Sequence, residues 1–208
     1  AIRDVYKRQV PRGIRARQGL DSVGVADSSQ ASGRISVAVL VSGSGTLLQA
    51  IIDNRGTYDV DLVIADVECP ALDRARKAGI RTEVVQLDGD RSAWNVQLRD
   101  TVASVNPDVV VSAGFMKIVG EEFLERFEGA LINTHPALLP AFPGAHAVRD
   151  ALAYGVKVTG TTVHYIDSGV DTGQIIAQRA VDVREGESEE ELHERIKDCL
   201  LYTSLSGL

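Results

Sequence analysis

The chain has 208 residues, enough for one domain with a sizeable core. Hydrophobic residues make up 44% and charged residues 25%, an ordinary globular mix that excludes a disordered or membrane-embedded chain. A formal net charge of -7 argues against wholesale binding to nucleic acid or an anionic membrane, so an anionic substrate would need a local positive site.

Residues 1 to 33 are basic at first, then rich in Ser, Gly, Ala and Asp, without sustained periodicity. They are expected to form a disordered or non-native tail. The opening "AIRDVYKRQ" and the closing "CLLYTSLSGL" resemble translated adapter ends from sequence assembly. Residues 200 to 208 are therefore expected to be a second non-native tail, leaving 34 to 199 as the working domain. The basic start lacks a following apolar core, so no secretory signal is read. Two cysteines, Cys69 and Cys199, suggest no disulfide framework and fit a reducing cytoplasm.

From Arg34 the pattern is regular. "RISVAVLVSG" is an apolar run of the kind that makes a buried strand. "TLLQAIIDN" has helical spacing at Leu48, Ile51 and Ile52. "VDLVIADV" reads as a strand and "PALDRARKAGI" as a helix stopped by Gly79. "TEVVQL" is a strand, and "RSAWNVQLRDTVASVN" a helix halted by Pro107. "DVVVSAGF", "GEEFLERFEG", "ALINTHP" and "AHAVRDALAYG" continue as strand, short helix, strand and helix. "TGTTVHYID" and "QIIAQRAVDV" form a final strand pair. "SEEELHERIKDCL" is a helix whose Ser188 and Glu191 have capping-box spacing. The alternation defines a single Rossmann-like α/β domain: a mostly parallel open sheet, helices on both faces, and an antiparallel C-terminal strand pair.

Ligands of such sheets sit beyond the carboxyl ends of the strands. That rule groups Ser42 to Leu47, Phe115 to Val119, and Asn133 to His135. "SGSGT" offers close backbone approach and the unpaired N–H groups of a helix start, a seat for phosphate. A tight turn needing glycine for geometry alone fits it too. It is neither a Walker loop nor a dinucleotide fingerprint, since Leu48 stands at the third glycine position.

In a strand, Asn133 and His135 share a face, roughly 7 Å apart at the backbone. An amide donor and an imidazole aimed at one point can hold a carbonyl oxygen that gains charge, and the imidazole can move a proton. The same two side chains can instead satisfy turn backbone. Asp171, in "DSGVDTGQII", would favour a charged imidazole if it lay near His135; an Asx turn explains it equally well alone.

"VLVSGSGT", "AGFMKIVG", "NTHPALLPAFPG" and "GTTVHYIDSGVDTGQII", in this order, resemble the phosphoribosylglycinamide formyltransferases of purine synthesis. The likeness covers about residues 34 to 199. The "HPxLLP" segment followed by "DxG" is the signature of the wider superfamily that uses formyltetrahydrofolate. The resemblance implies formyl transfer from 10-formyltetrahydrofolate, as co-substrate, to phosphoribosylglycinamide, by a monomer or homodimer, without metal. It implies a catalytic trio of Asn133, His135 and Asp171. It places Gly45, Thr46, Leu47 and Lys197 at the ribonucleotide. It places Arg91, Met116, Lys117, Ile118, Val119 and Asn133 at the folate.

The chain departs from that pattern at Leu47, where many relatives have Asn, and at Gln174, where Pro is usual. It departs again after Asp198, with Leu200 near a family glutamate. Formyltetrahydrofolate hydrolysis, and a folate-binding domain left inactive by the altered ending, are the competing expectations. The residues before 34 are too short and polar for the hydrolase's regulatory segment. Methionyl-tRNA formyltransferase is disfavoured by the acidic charge. His146, His164, His193 and Trp94 are read respectively as a capping or solvent residue, a buried satisfied histidine, a solvated helix residue and core.

Overall fold

An apolar run buried on both faces satisfies its backbone by pairing on both sides, which puts the first such run at the centre of the sheet. The structure, a computed structural model, describes residues 33–205, with side chains as far as Cys199. β1 (Ile35–Val41) pairs in parallel with β2 (Tyr58–Ala65) on one side and β4 (Val109–Ser112) on the other. β3 (Arg81–Val84) extends the sheet beyond β2, and β5 (Leu131–His135) extends it beyond β4, both in parallel. β6 (Val158–Tyr165) and β7 (Ile175–Asp182) add antiparallel strands, giving the seven-stranded order β3-β2-β1-β4-β5-β6-β7.

Side-chain alternation sends the core to both faces. Val37, Val39 and Val41 pack with Leu48, Ile51, Ile52 and Leu72 of α1 (Thr46–Asp53) and α2 (Pro70–Lys77). Ala38 and Leu40 point the other way, to Trp94, Leu98 and Phe123 of α3 (Arg91–Ala103) and α4 (Glu121–Arg126). A third group joins Val148 of α5 (Ala147–Tyr154) and Val181 of β7 to Leu192 and Ile196 of α6 (Glu189–Leu205).

Local chemistry sets the helix ends. Gly79 follows α2 at a φ of 72°, the left-handed conformation expected of a helix stop. The Ser188 hydroxyl accepts the Glu191 N–H, and the Glu191 carboxylate accepts the Ser188 N–H, closing the expected capping box. α3 ends at Ala103, ahead of Pro107; Asn106 already has a φ of 46°, consistent with the exclusion of right-handed helix before proline. The apolar run after β4 leaves the sheet at Ser112, because Gly114, at a φ of 75°, turns the chain.

Of the two expected tails, residues 1–32 and 206–208 lie outside the described residues, and 200–205 continue the backbone of α6. No helix among the described residues is long and apolar enough to cross a membrane.

From β1 the chain builds outward to β2 and β3, then returns to place β4 on β1's other side. The crevice between the carboxyl ends of β1 and β4 is the switch point where such sheets bind ligands. Both loops that flank it come from the groups marked in the sequence.

The β6–β7 pairing brings backbone so close to Gly160 that a Cβ there would overlap the Arg179 carbonyl and stand 2.8 Å from Leu138 Cδ2. Gly160→Ala is expected to cost about 1–3 kcal/mol of overpacking. A thermal melt should read this as a Tm lower by roughly 3–10 °C; an unchanged melt would contradict this close approach.

Candidate active site

β5 ends with Asn133 and His135 on the sheet face that carries Leu131. Antiparallel pairing sets Asn133 opposite His164 and His135 opposite Thr162. Period-two alternation thus gathers two histidines and an amide on one face. His135 and His164 are buried, at 3% and 1% exposure.

Asp171 enters from the loop between β6 and β7. Its Oδ2 accepts the Gly144 N–H at 2.7 Å and lies 3.3 Å from His135 Nδ1. Its Oδ1 lies 3.5 Å from His164 Nε2. The residue has a φ of 55°, unusual outside glycine and tolerated best by Asn and Asp. The loop around it is tightly built. A Cβ on Gly173 would overlap the Tyr165 carbonyl, and the Asp167 carboxylate accepts both the Thr172 hydroxyl and the Gly169 N–H. The Thr172 hydroxyl, with help from the Gly169 N–H, holds the Asp167 carboxyl below its usual range. Support from that carboxylate is therefore present above the ordinary Asp range and is lost as pH falls through the lowered value.

Hydrogen bonding orients the rings. His164 Nδ1 faces the Tyr165 carbonyl at 2.9 Å and so carries the proton there. Its Nε2 lies 3.4 Å from Asn133 Nδ2, on the side that also faces Asp171. His135 Nε2 faces the Phe142 carbonyl at 2.8 Å, while its Nδ1 faces Asp171. Both nitrogens of His135 thus lie beside oxygen atoms. Phe142 itself sits at a φ of 54°.

The β4–α4 loop is pinned at successive residues. Met116 N–H donates to Ser42 Oγ at 2.9 Å, across the switch point. Lys117 Nζ lies 3.4 Å from Asp66 Oδ2, at the carboxyl end of β2. Arg91, at the start of α3, donates to the Ile118 carbonyl at 2.7 Å. Gly120 N–H donates to Asn95 Oδ1 at 2.6 Å. Held this way, the loop presents Met116 and Ile118 to solvent at 75% and 70% exposure, while Val119 turns into the core. Asp66 is buried, and its Oδ1 has no hydrogen-bond partner.

The structure therefore brings Asn133, His135 and Asp171 together, and gathers Arg91 with Met116 to Val119. Gly45 forms the N-cap of α1 at a φ of 71°. Thr46 is exposed beside it. Leu47 turns away to pack against the group holding Leu192 and Ile196, a physical reason for an apolar residue there. Lys197, on α6, pairs with Glu194 at 2.6 Å. Sequence reading missed His164 as a member of the cluster; its signal is the alternation with Thr162 on the strand paired to β5. It also missed Ser42 and Asp66 as supports of the loop. Trp94 is core, with its indole N–H on the Val85 carbonyl at 2.8 Å. His146 stands exposed at the N-cap of α5 without capping it. His193 is half-buried, and that burial lowers its pKa.

An open α/β sheet with a polar cluster at its carboxyl edge defines a class of ligand-binding enzyme folds. Comparison with known proteins narrows it. Residues 35–200 match the family described as formyl transferase. Phosphoribosylglycinamide formyltransferase of Mycobacterium tuberculosis is 52% identical over 166 residues, 77% of each chain. The Escherichia coli protein of that name is 38% identical, over 78% of this chain and 80% of its own. The crystal structure of glycinamide ribonucleotide transformylase 1 from Symbiobacterium toebii superposes with a TM-score of 0.82 at 39% identity, covering 88% of this chain and 89% of that one. The chain belongs to the formyl transferase family, and within it groups with the phosphoribosylglycinamide formyltransferases.

Removing Lys117 would leave the buried Asp66 carboxylate without a countercharge. Lys117→Met is expected to lower unfolding stability by on the order of 2 kcal/mol, with Asp66→Asn added on top recovering part of it. Urea denaturation of the two single variants and the double variant reads this directly. Strictly additive losses would show that the pair is uncoupled.

Proposed function

We propose that this chain transfers the formyl group of 10-formyltetrahydrofolate to the amine of 5-phosphoribosylglycinamide, in purine biosynthesis. The observation that carries the mechanism is the convergence of Asn133, His135 and Asp171 at the end of β5. The family relationship supplies the reaction.

The amine lone pair attacks the formyl carbon and forms the new C–N bond. Charge moves onto the formyl oxygen as the carbon becomes tetrahedral. Two donors then matter. One is the Asn133 amide, oriented by its contact to His164 Nε2. The other is the His135 Nε2–H, which the Phe142 carbonyl holds in this structure and which the oxyanion would take in its place. Catalytic hydrogen bonds commonly tighten or exchange only in the substrate complex. Asp171, beside His135 Nδ1, supports the charged ring by opposite charge. Collapse of the intermediate breaks the bond to the folate nitrogen, which receives the proton lost by the amine. Asp171 and His135 are positioned to pass that proton, directly or through water. No covalent link to the protein is required.

The remaining residues divide between the two substrates. Gly45, Thr46 and Leu47 offer backbone N–H groups to the ribonucleotide phosphate, with Lys197 on the neighbouring helix. Met116 and Ile118 offer apolar surface to the folate, on the loop that Arg91, Lys117 and Val119 anchor. We take residues 34–199 as the catalytic domain. Both substrates are small molecules, and the reaction is placed in the cytoplasm.

The direct test follows folate release from 10-formyltetrahydrofolate by absorbance, with and without the ribonucleotide. Release that depends on the ribonucleotide is expected; release without it would mean hydrolysis. Asp171→Asn keeps an oxygen for the Gly144 N–H but loses the charge beside His135. It should cut kcat by about 100-fold to 10,000-fold while the KM for folate stays within about twofold. Near-normal turnover in that variant would remove Asp171 from the mechanism.

A further inference from the structure

The loop of Gly43 to Gly45 does not hold its own shape. Two of its carbonyl groups are gripped from α2. The Gly43 carbonyl accepts the backbone N–H of Ala71 at 3.1 Å. The Ser44 carbonyl accepts Arg74 Nε at 2.8 Å. The loop lies close enough to α2 that a Cβ on Gly45 would stand 2.6 Å from Ala71 Cβ, so only glycine fits.

A trans peptide points its C=O and N–H in opposite directions. With the carbonyls of Gly43 and Ser44 drawn to α2, the N–H groups of Ser44 and Gly45 are turned away from it. They lead directly into the start of α1, whose first turn adds N–H groups that no side chain of the N-cap residue caps. Successive N–H groups turned to one side around a left-handed residue make an anion-binding concavity. The orientation of the second of these peptides depends on one side chain.

Arg74 also differs from its neighbours in charge. Arg76, two residues on, pairs with Glu68 and Asp73. Arg74 makes no ion pair among the described residues; its Nη1 reaches only the neutral Gln49 Oε1, at 3.3 Å. Its positive charge therefore stands behind the loop with no directly paired carboxylate among the described residues, Asp53 and Asp73 lining the same cavity without reaching it.

We infer that Arg74 is a positioning residue for the phosphate of the ribonucleotide. Its guanidinium holds the Ser44–Gly45 peptide with the N–H outward and adds a positive charge behind it. This rests on the proposed function and names the residue on which its phosphate seat depends.

The test is Arg74→Met, which keeps the stem and removes donors and charge. Two readouts are taken on wild type and variant: steady-state kinetics, and calorimetric titration with phosphoribosylglycinamide. We expect the KM and Kd for the ribonucleotide to rise about tenfold, with kcat and the KM for 10-formyltetrahydrofolate within about twofold. The unphosphorylated ribonucleoside, poor in both proteins, should lose nothing further. A purely structural role would weaken both acceptors or neither, and either result overturns the inference. Should Arg74→Met not fold, Arg74→Lys carries the same comparison. It keeps the charge but not the side-on Nε donor, and a selective rise of about threefold is expected, with none overturning the inference. A wild-type chain that binds the ribonucleotide without turning it over would count against the proposed function alone. One that does not bind it would overturn both.

Discussion

The carboxylate of Asp171 is the joint on which the site depends. It accepts the Gly144 N–H, stands against His135 and touches His164, so three separated stretches of chain meet at one pair of oxygens. A carboxylate is suited to this because both oxygens accept and neither donates. Its left-handed backbone is tolerated because the surrounding turn over-determines it: Gly173 lies against the Tyr165 carbonyl, and Asp167 ties Thr172 to Gly169. The β6–β7 hairpin is thus more than sheet extension. It delivers one charged group to the end of β5, the strand beside it in the sheet.

A second set of constraints governs the switch point. The β4–α4 loop is tied to β1 through Ser42, to β2 through Asp66, and to α3 through Arg91 and Asn95. The four ties come from three parts of the chain, and each holds a different residue of the loop. The result is an irregular segment held at several points, which would lower the ordering cost of the folate binding proposed for it. Ser42 also begins the loop proposed to hold phosphate. The two proposed substrate regions therefore share a structural member at the carboxyl end of β1.

Much of this was legible in the amino-acid order. Apolar runs alternating with helical spacing led to the parallel sheet, and the parity of Asn133 and His135 put both on one face. The helix stop at Gly79 and the capping box at Ser188 were local chemistry and came out as read. What stayed hidden was register and long-range pairing. His164 reads as an ordinary core histidine until β6 is laid antiparallel against β5. Ser42 and Met116 are separated by 74 residues, and nothing in either segment advertises the other. Asp66 reads as one more residue of an apolar strand, and its contact with Lys117, far along the chain, is purely tertiary. Arg74 lies in a basic stretch that looks like a solvated helix surface; its contact to the β1–α1 loop is purely tertiary.

The pinned loop also carries its own reporters. Met116 is the sole methionine of the chain, and Trp94, whose ring stacks on Phe115 at 6.3 Å, is the sole tryptophan. An isotopically labelled methionine methyl would appear as a solitary resonance from the exposed side of the loop. The indole would fluoresce from its buried side. Occupancy and rearrangement of this one segment can thus be followed separately in solution, with no foreign label attached and no overlapping signal from elsewhere in the fold.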